Sequence, residues 1–216
     1  AAGVRPAIYH VDGYWEPQAY SAPILSDPRG TYRGEPNREE RRRTGLSFSD
    51  WLGPDVRLEI GAALDTWVGR GSHISLEGGV ETRWARDRLA LRAQLARWFS
   101  LADGAPFGAG GLSLKWSSIG LGRCDAWQGR LGMSSTTSDA PLALWSGAGT
   151  GYGRVPLLRA HPLLRGGVVQ GRAFGRTLVH GTIERQSWAL RLGPLQLGWA
   201  LFVDGAKAWG TGRVGR

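Results

Sequence analysis

The run Gly147-Ala148-Gly149-Thr150-Gly151-Tyr152-Gly153 has the composition of a loop whose backbone N–H groups could cradle a phosphate. Such a cradle also needs a lysine to reach the phosphates and a helix N-terminus behind it. Neither follows here, so a glycine-rich strand or flexible loop is the better reading and no nucleotide cofactor is expected. His10, His73, His161 and His180 lack the short spacings of metal ligands, and Cys124 is the only cysteine, so neither a metal nor an intrachain disulfide is expected. Ser134-Ser135 has no nucleophile-elbow frame around it. Glu77, Glu81 and Glu184 could form a carboxylate pair for acid–base work, but beside Arg57, Arg83 and Arg92 they read better as countercharges. These residues give no reason to expect an enzyme.

One charged pair is left. Arg165 lies in Leu164-Arg165-Gly166-Gly167, and Asp204 lies about forty residues later in Phe202-Val203-Asp204-Gly205. An arginine on a glycine-rich loop and an aspartate on a strand can make an ion pair, which fastens a structure but breaks no bond.

The elements that would position these charges are strands. From Val56 the apolar residues fall on alternate positions: Val56, Leu58, Ile60, Ala62, Leu64, Thr66 and Val68 on one face, against Arg57, Glu59, Gly61, Ala63, Asp65 and Trp67 on the other. Thirteen residues of alternation exceed the roughly 5–6 of a globular strand and suit a tilted membrane strand. His73–Trp84 repeats the pattern, with Glu77, Glu81 and Arg83 on the polar face. The segment from Leu89 to Leu95 has helix-favouring Ala, Leu, Arg and Gln, yet the tight Arg86-Asp87 turn before it predicts an antiparallel partner strand. Leu112–Trp116, Ile119–Leu131, Ala140–Tyr152 and Thr177–Trp188 are further candidates. The last is the cleanest: Leu195, Leu197, Trp199, Leu201 and Val203 outward, with Gln196, Gly198, Ala200, Phe202 and Asp204 inward. The expectation is an all-β, antiparallel chain of eight or nine strands with no helix, preceded by a loop-rich segment over 1–50. The run Arg38–Arg43 within that segment reads as a solvated loop rim.

Composition bounds the class further. Glycine is 34 of 216 residues, against a usual share of about 7%, which disfavours long helices. Eleven tryptophans suit rings at headgroup depth; Trp84, Trp98, Trp116, Trp188 and Trp199 sit within or at the ends of the expected strands, as an aromatic girdle would. The net charge is +9, but the arginines run from Arg5 to Arg216 without a basic stripe, so anionic lipid and lipopolysaccharide are expected partners and nucleic acid is not. No apolar run approaches the ~20 residues of a membrane helix, and no secretory signal opens the chain. The sequence therefore reads as a mature form or an internal fragment, and its ending, Gly212 to Arg216, favours the fragment.

Taken with that strand pattern, the Arg165 and Asp204 motifs resemble those of the BamA/TamA superfamily of bacterial outer-membrane barrels, the surface-antigen type that includes two-partner secretion transporters. Leu164, Arg165 and Gly166 match a hydrophobic-Arg-Gly-aromatic loop motif, with Gly167 in the aromatic's place. Phe202 and Asp204 match a Phe-x-Asp-x-Gly strand motif whose glycine arrives one position early, as Gly205. The resemblance covers about residues 45–210. It implies part of a 16-stranded transmembrane barrel: strands over 56–158, a lumen-inserted loop over 159–174, and two strands over 175–209 that carry the latch aspartate. It also implies a latch of Arg165, Gly166, Phe202 and Asp204, with Glu184, Glu81, Arg83 and Arg57 as further lumen charge partners. Periplasmic POTRA modules would precede such a barrel, and unfolded polypeptides would be its substrates.

The function expected is polypeptide insertion or translocation at the outer membrane, without cofactor or bond chemistry. A passive pore, or an anchor for a fused passenger domain, is the second class. A soluble tryptophan-rich β-sandwich that binds ligands is the third, since alternation alone also describes a sandwich wall.

Overall fold

Alternating apolar and polar residues can bury one side of a ribbon only if the ribbon is extended, and the chain obeys that rule almost throughout. In the computed structural model, described over residues 10–22, 37–67, 69–118, 125–141, 144–148, 164–165, 168–169, 174–192 and 195–210, the regular elements are all strands. They are β1 (His10–Ala22), β2 (Asn37–Leu52), β3 (Val56–Trp67), β4 (Gly71–Trp84), β5 (Leu89–Ser100), β6 (Phe107–Ser117) and β7 (Asp125–Thr136). Four two-residue strands follow, β8 (Ser146–Gly147), β9 (Leu164–Arg165), β10 (Val168–Val169) and β11 (Phe174–Gly175), then β12 (Thr177–Leu192) and β13 (Leu195–Trp209).

Nine strands form one sheet in the order β1-β2-β3-β4-β5-β6-β7-β12-β13, each antiparallel to its neighbours. Two-stranded ladders β9/β10 and β8/β11 occupy the connection from β7 to β12. Among the described residues β1 and β13 do not pair with each other, so the sheet is not closed.

The segment 1–50, expected to be loop-rich, contains β1 and most of β2. Turn signals and the Arg38–Arg43 run concealed the alternation that begins at Thr44; the charges belong to a strand whose inward arginines find carboxylates on β3 and β4. The expected strand over 140–152 reduces, among its described residues, to β8. Segment 89–100 is a strand despite its helix propensity. Its neighbours β4 and β6 supply ladders on both edges, and pairing plus packing override a preference of a few tenths of a kcal/mol per residue.

The sheet is strongly staggered. One row of facing residues runs Ile60, Gly78, Leu95, Gly110, Ser135, Thr177, Trp209. β13 ends on that row, whereas β3 continues seven residues further, to Trp67. At the other end β3 starts at Val56, on the row of Gly205, while β13 starts ten residues earlier, at Leu195. A drift of that size over six strand-to-strand steps inclines the strands by about 40–50°, taking a rise of ~3.4 Å and a spacing of ~4.8 Å.

The strand ends Leu52 and Val56, Trp84 and Leu89, Ser117 and Asp125, and Leu192 and Leu195 lie on one rim, the short-turn rim. The ends Ala22 and Asn37, Trp67 and Gly71, Ser100 and Phe107, and Thr136 and Thr177 lie on the other, the long-loop rim. The buried core sits on the inner face at the long-loop rim. Trp67, Trp98, Phe107 and Ala140 form it, with Ala96, Ala109 and Leu144 packed against them.

Candidate functional site

Parity decides which side chains meet on the inner face. Odd residues of β2, β3 and β4 share it with even residues of β5, because the registers Arg43–Asp65–His73 and Arg57–Glu81–Arg92 align them. Near the long-loop rim this brings Asp65, which is 0% exposed, against two arginines and an indole. Arg41 Nε donates to Asp65 Oδ1 at 2.8 Å, and its Nη2 lies 2.7 Å from the same oxygen. Trp98 Nε1 donates to Oδ2 at 2.7 Å, and Arg43 Nη1 stands 3.9 Å away. Arg43 also donates to Glu77, so two cations and two carboxylates balance.

An aromatic box seals this group. Arg41 lies 4.9 Å over the Trp67 ring, and Trp67 meets His73 edge-on at 5.3 Å and Phe107 at 5.5 Å. Trp98 stacks on Phe107 at 5.3 Å. Residues 137–141 and 144–148 fold back over this end of the inner face. Ser134 on β7 donates to the Ser146 hydroxyl at 2.6 Å, Trp145 stacks with Phe174 at 6.0 Å, and Arg70 donates to the Asp139 carbonyl at 3.1 Å.

Toward the short-turn rim the inner face is wetter and still charged. Glu59 accepts from Arg92 at 2.6 Å and lies 3.4 Å from Arg57, which itself donates to Ser49 at 2.9 Å. Arg83 donates to Glu81 at 2.7 Å and covers Trp51 at 4.5 Å. A cavity of about 510 Å³ lies between these charges and the covering segment; Arg57, Glu59, Glu77, Arg92, Ser134 and Leu144 are among its walls. Mixed charges of this kind favour a hydrated cavity over one filled by apolar groups. Among the described residues no three His, Cys, Asp or Glu side chains converge as a metal site would require.

The outer face is the inverse. Of the large apolar side chains that are exposed, all but Phe202 carry the outward parity, with Leu95 the extreme within β5 at 72%. Trp84 and Trp116 flank Leu89 on one row, whose continuation on β7 and β13 is Gly129 and Val203. Trp127 lies two residues from that row and Trp199 four, both toward the short-turn rim, so the four indoles follow the incline of the sheet. Phe99 and Trp209 make a second line near the long-loop rim.

The expected site residues distribute as follows. Glu81 and Arg83 pair with each other, and Arg57 pairs with Glu59. Glu184 accepts from Gln186. Asp204 is half-buried on the inner face and accepts from Thr182 Oγ1 at 2.8 Å; Phe202 has the same parity and is exposed. Arg165 belongs to β9, opposite Val168, but its side chain, like the whole of Gly166, lies outside the described residues. So do Cys124, His161 and residues 149–153 of the glycine-rich run. Sequence reasoning missed the Asp65 group. The signal available was an acidic residue whose inward neighbours along the strand are Ala63 and Trp67, on the same face as Arg57 and Glu59.

The chain matches no protein-family model, and neither a curated protein nor a solved structure is significantly similar to it.

Proposed function

We propose that this chain forms part of the wall of a transmembrane β-barrel in a bacterial outer membrane and takes part there in inserting or translocating polypeptides. One observation carries the membrane reading: the outer apolar band has a constant height. Along β13, Trp199 and Trp209 are ten residues apart, and along β5, Leu89 beside Trp84 and Trp116 is ten residues from Phe99. Ten residues inclined by ~45° rise about 24 Å, against an apolar band of ≈ 25 Å between aromatic girdles in membrane barrels. The incline itself overlaps the range of about 35–45° that sheet closure requires. A soluble sandwich would bury its apolar face and wet its charged one; here the charged face is the more enclosed.

The covering segment favours polypeptide handling over a passive pore. An aromatic cluster clamped beneath residues 137–148 obstructs the long-loop end of the inner face, which a permanently open channel does not need. The latch resemblance of Arg165 and Asp204 points the same way. The test begins with far-UV circular dichroism in buffer and in micelles, where strand signal is expected only in micelles; a cooperative β fold in plain buffer rejects the membrane. Lipid vesicles containing the chain are then given an unfolded outer-membrane barrel protein. Faster assembly than with empty vesicles is expected. Steady ion conductance without acceleration makes the chain a pore.

A further inference from the structure

On the inner face Arg41, Arg43, Arg57, Arg83 and Arg92 each reach a carboxylate. Arg185 is different. It lies on β12 with outward parity, in register with Trp127 on β7 and Leu201 on β13. Its guanidinium sits 5.6 Å from the Trp127 ring centroid and 5.4 Å from that of Trp199. Among the described residues no carboxylate lies within ion-pair distance of it.

Two indoles flank the exposed guanidinium and hold it in place. Cation–π contact compensates part of the charge, yet the donors still need acceptors. The fork of a guanidinium matches the paired oxygens of a phosphate, and pre-organisation lowers the entropy lost on binding. The location selects the source of that phosphate. Trp127 and Trp199 belong to the outer-face line near the short-turn rim, which in outer-membrane barrels faces the periplasm. That rim places Arg185 at headgroup depth of the inner leaflet.

We propose that Arg185, Trp127 and Trp199 form a binding site for the phosphodiester of an anionic phospholipid headgroup on the outside of the barrel. A headgroup with its own ammonium would compete with Arg185 for the phosphate, so phosphatidylglycerol is preferred over phosphatidylcholine. This inference rests on the membrane reading and sharpens it to one lipid class at one place.

Thermal unfolding of the full chain in zwitterionic micelles tests it, with phosphatidylglycerol, phosphatidylcholine or inorganic phosphate added. Phosphatidylglycerol is expected to raise the midpoint by about 3–6 °C in the parent chain, as the net gain of one charge-assisted hydrogen bond would. The other two additions are expected to change it little. Arg185→Gln should lose the shift, and Arg185→Lys should retain only part, having charge without the fork. Trp199→Leu should weaken it by releasing one side of the clamp. Equal stabilisation by both lipids, an undiminished shift in Arg185→Gln, or the same shift from inorganic phosphate overturns the site. Circular dichroism of the same samples separates the two failures. Strand signal that depends on micelles, without lipid selectivity, removes this site alone, whereas folding in plain buffer removes the membrane reading and the site with it.

Discussion

Asp65 is fully buried against Arg41 and the Trp98 indole, so it is the residue where one change should be felt most. Removing one member of a buried pair leaves the other uncompensated, at a cost of about 3–5 kcal/mol. Asp65→Asn and Arg41→Leu are each expected to destabilise on that scale in urea unfolding of the micelle-refolded chain. The double variant should cost clearly less than both together, since neither charge is then stranded. Strict additivity would mean that the pair does not act as a unit. His180 offers a second residue-scale test. Its imidazole lies over Gly132, where an added Cβ would sit 2.7 Å from the ring's Cε1. Gly132→Ala should therefore cost about 1–3 kcal/mol through overpacking, and His180→Ala should restore most of it. Absence of rescue would put the strain in the backbone instead.

At the scale of elements, the turn between β4 and β5 is made by Ala85, Arg86 and Asp87 at φ of 52°, 58° and 64°. Left-handed backbone costs a residue with a Cβ roughly 1–2 kcal/mol, which glycine avoids. Arg86→Gly should therefore raise the unfolding midpoint, since Arg86 is exposed; a lowered midpoint would count against the left-handed turn. The sequence contained this turn, both faces of β3, β4 and β13, and the strand nature of β5, because period two survives wherever the two faces differ in polarity. It concealed β2, whose charges are evenly spread until Thr44, and β1, whose Pro17 and neighbouring turn residues look like loop. It also concealed the Asp65 group, because burial there depends on residues 137–148, far away in sequence. Glu59 had to be found in three dimensions too, since it takes Arg92 from a strand two places away. The proposed latch would link a loop to a strand in the same way. If the loop carrying Arg165 is pinned to Asp204, Asp204→Arg should lower heat resistance and added Arg165→Asp should restore part of it; no restoration removes the latch.

At the scale of the whole molecule, the two faces of one strand make opposite predictions from adjacent residues. Leu95 is at the middle of β5, outward and 72% exposed, four residues from Phe99 and six from Leu89. Gln94 is its inward neighbour on the wall of the charged cavity. In a membrane, a cation replacing Leu95 has no water to hold it and should cost about 2–4 kcal/mol, while one replacing Phe99 at the girdle should cost at most about 1 kcal/mol. A cation replacing Gln94 joins a face that already solvates Arg92 and should be close to neutral. In water the differences vanish, because an exposed leucine gains nothing from its surroundings that an arginine would lose. Folding free energies of Leu95→Arg, Phe99→Arg and Gln94→Arg in lipid vesicles thus measure the depth of each position. A graded penalty along the outward residues with none on the inward one is the signature of a bilayer 24 Å or so in apolar height. Equal, small effects at all three would place both faces in water, and the apolar band would then need a protein partner to cover it.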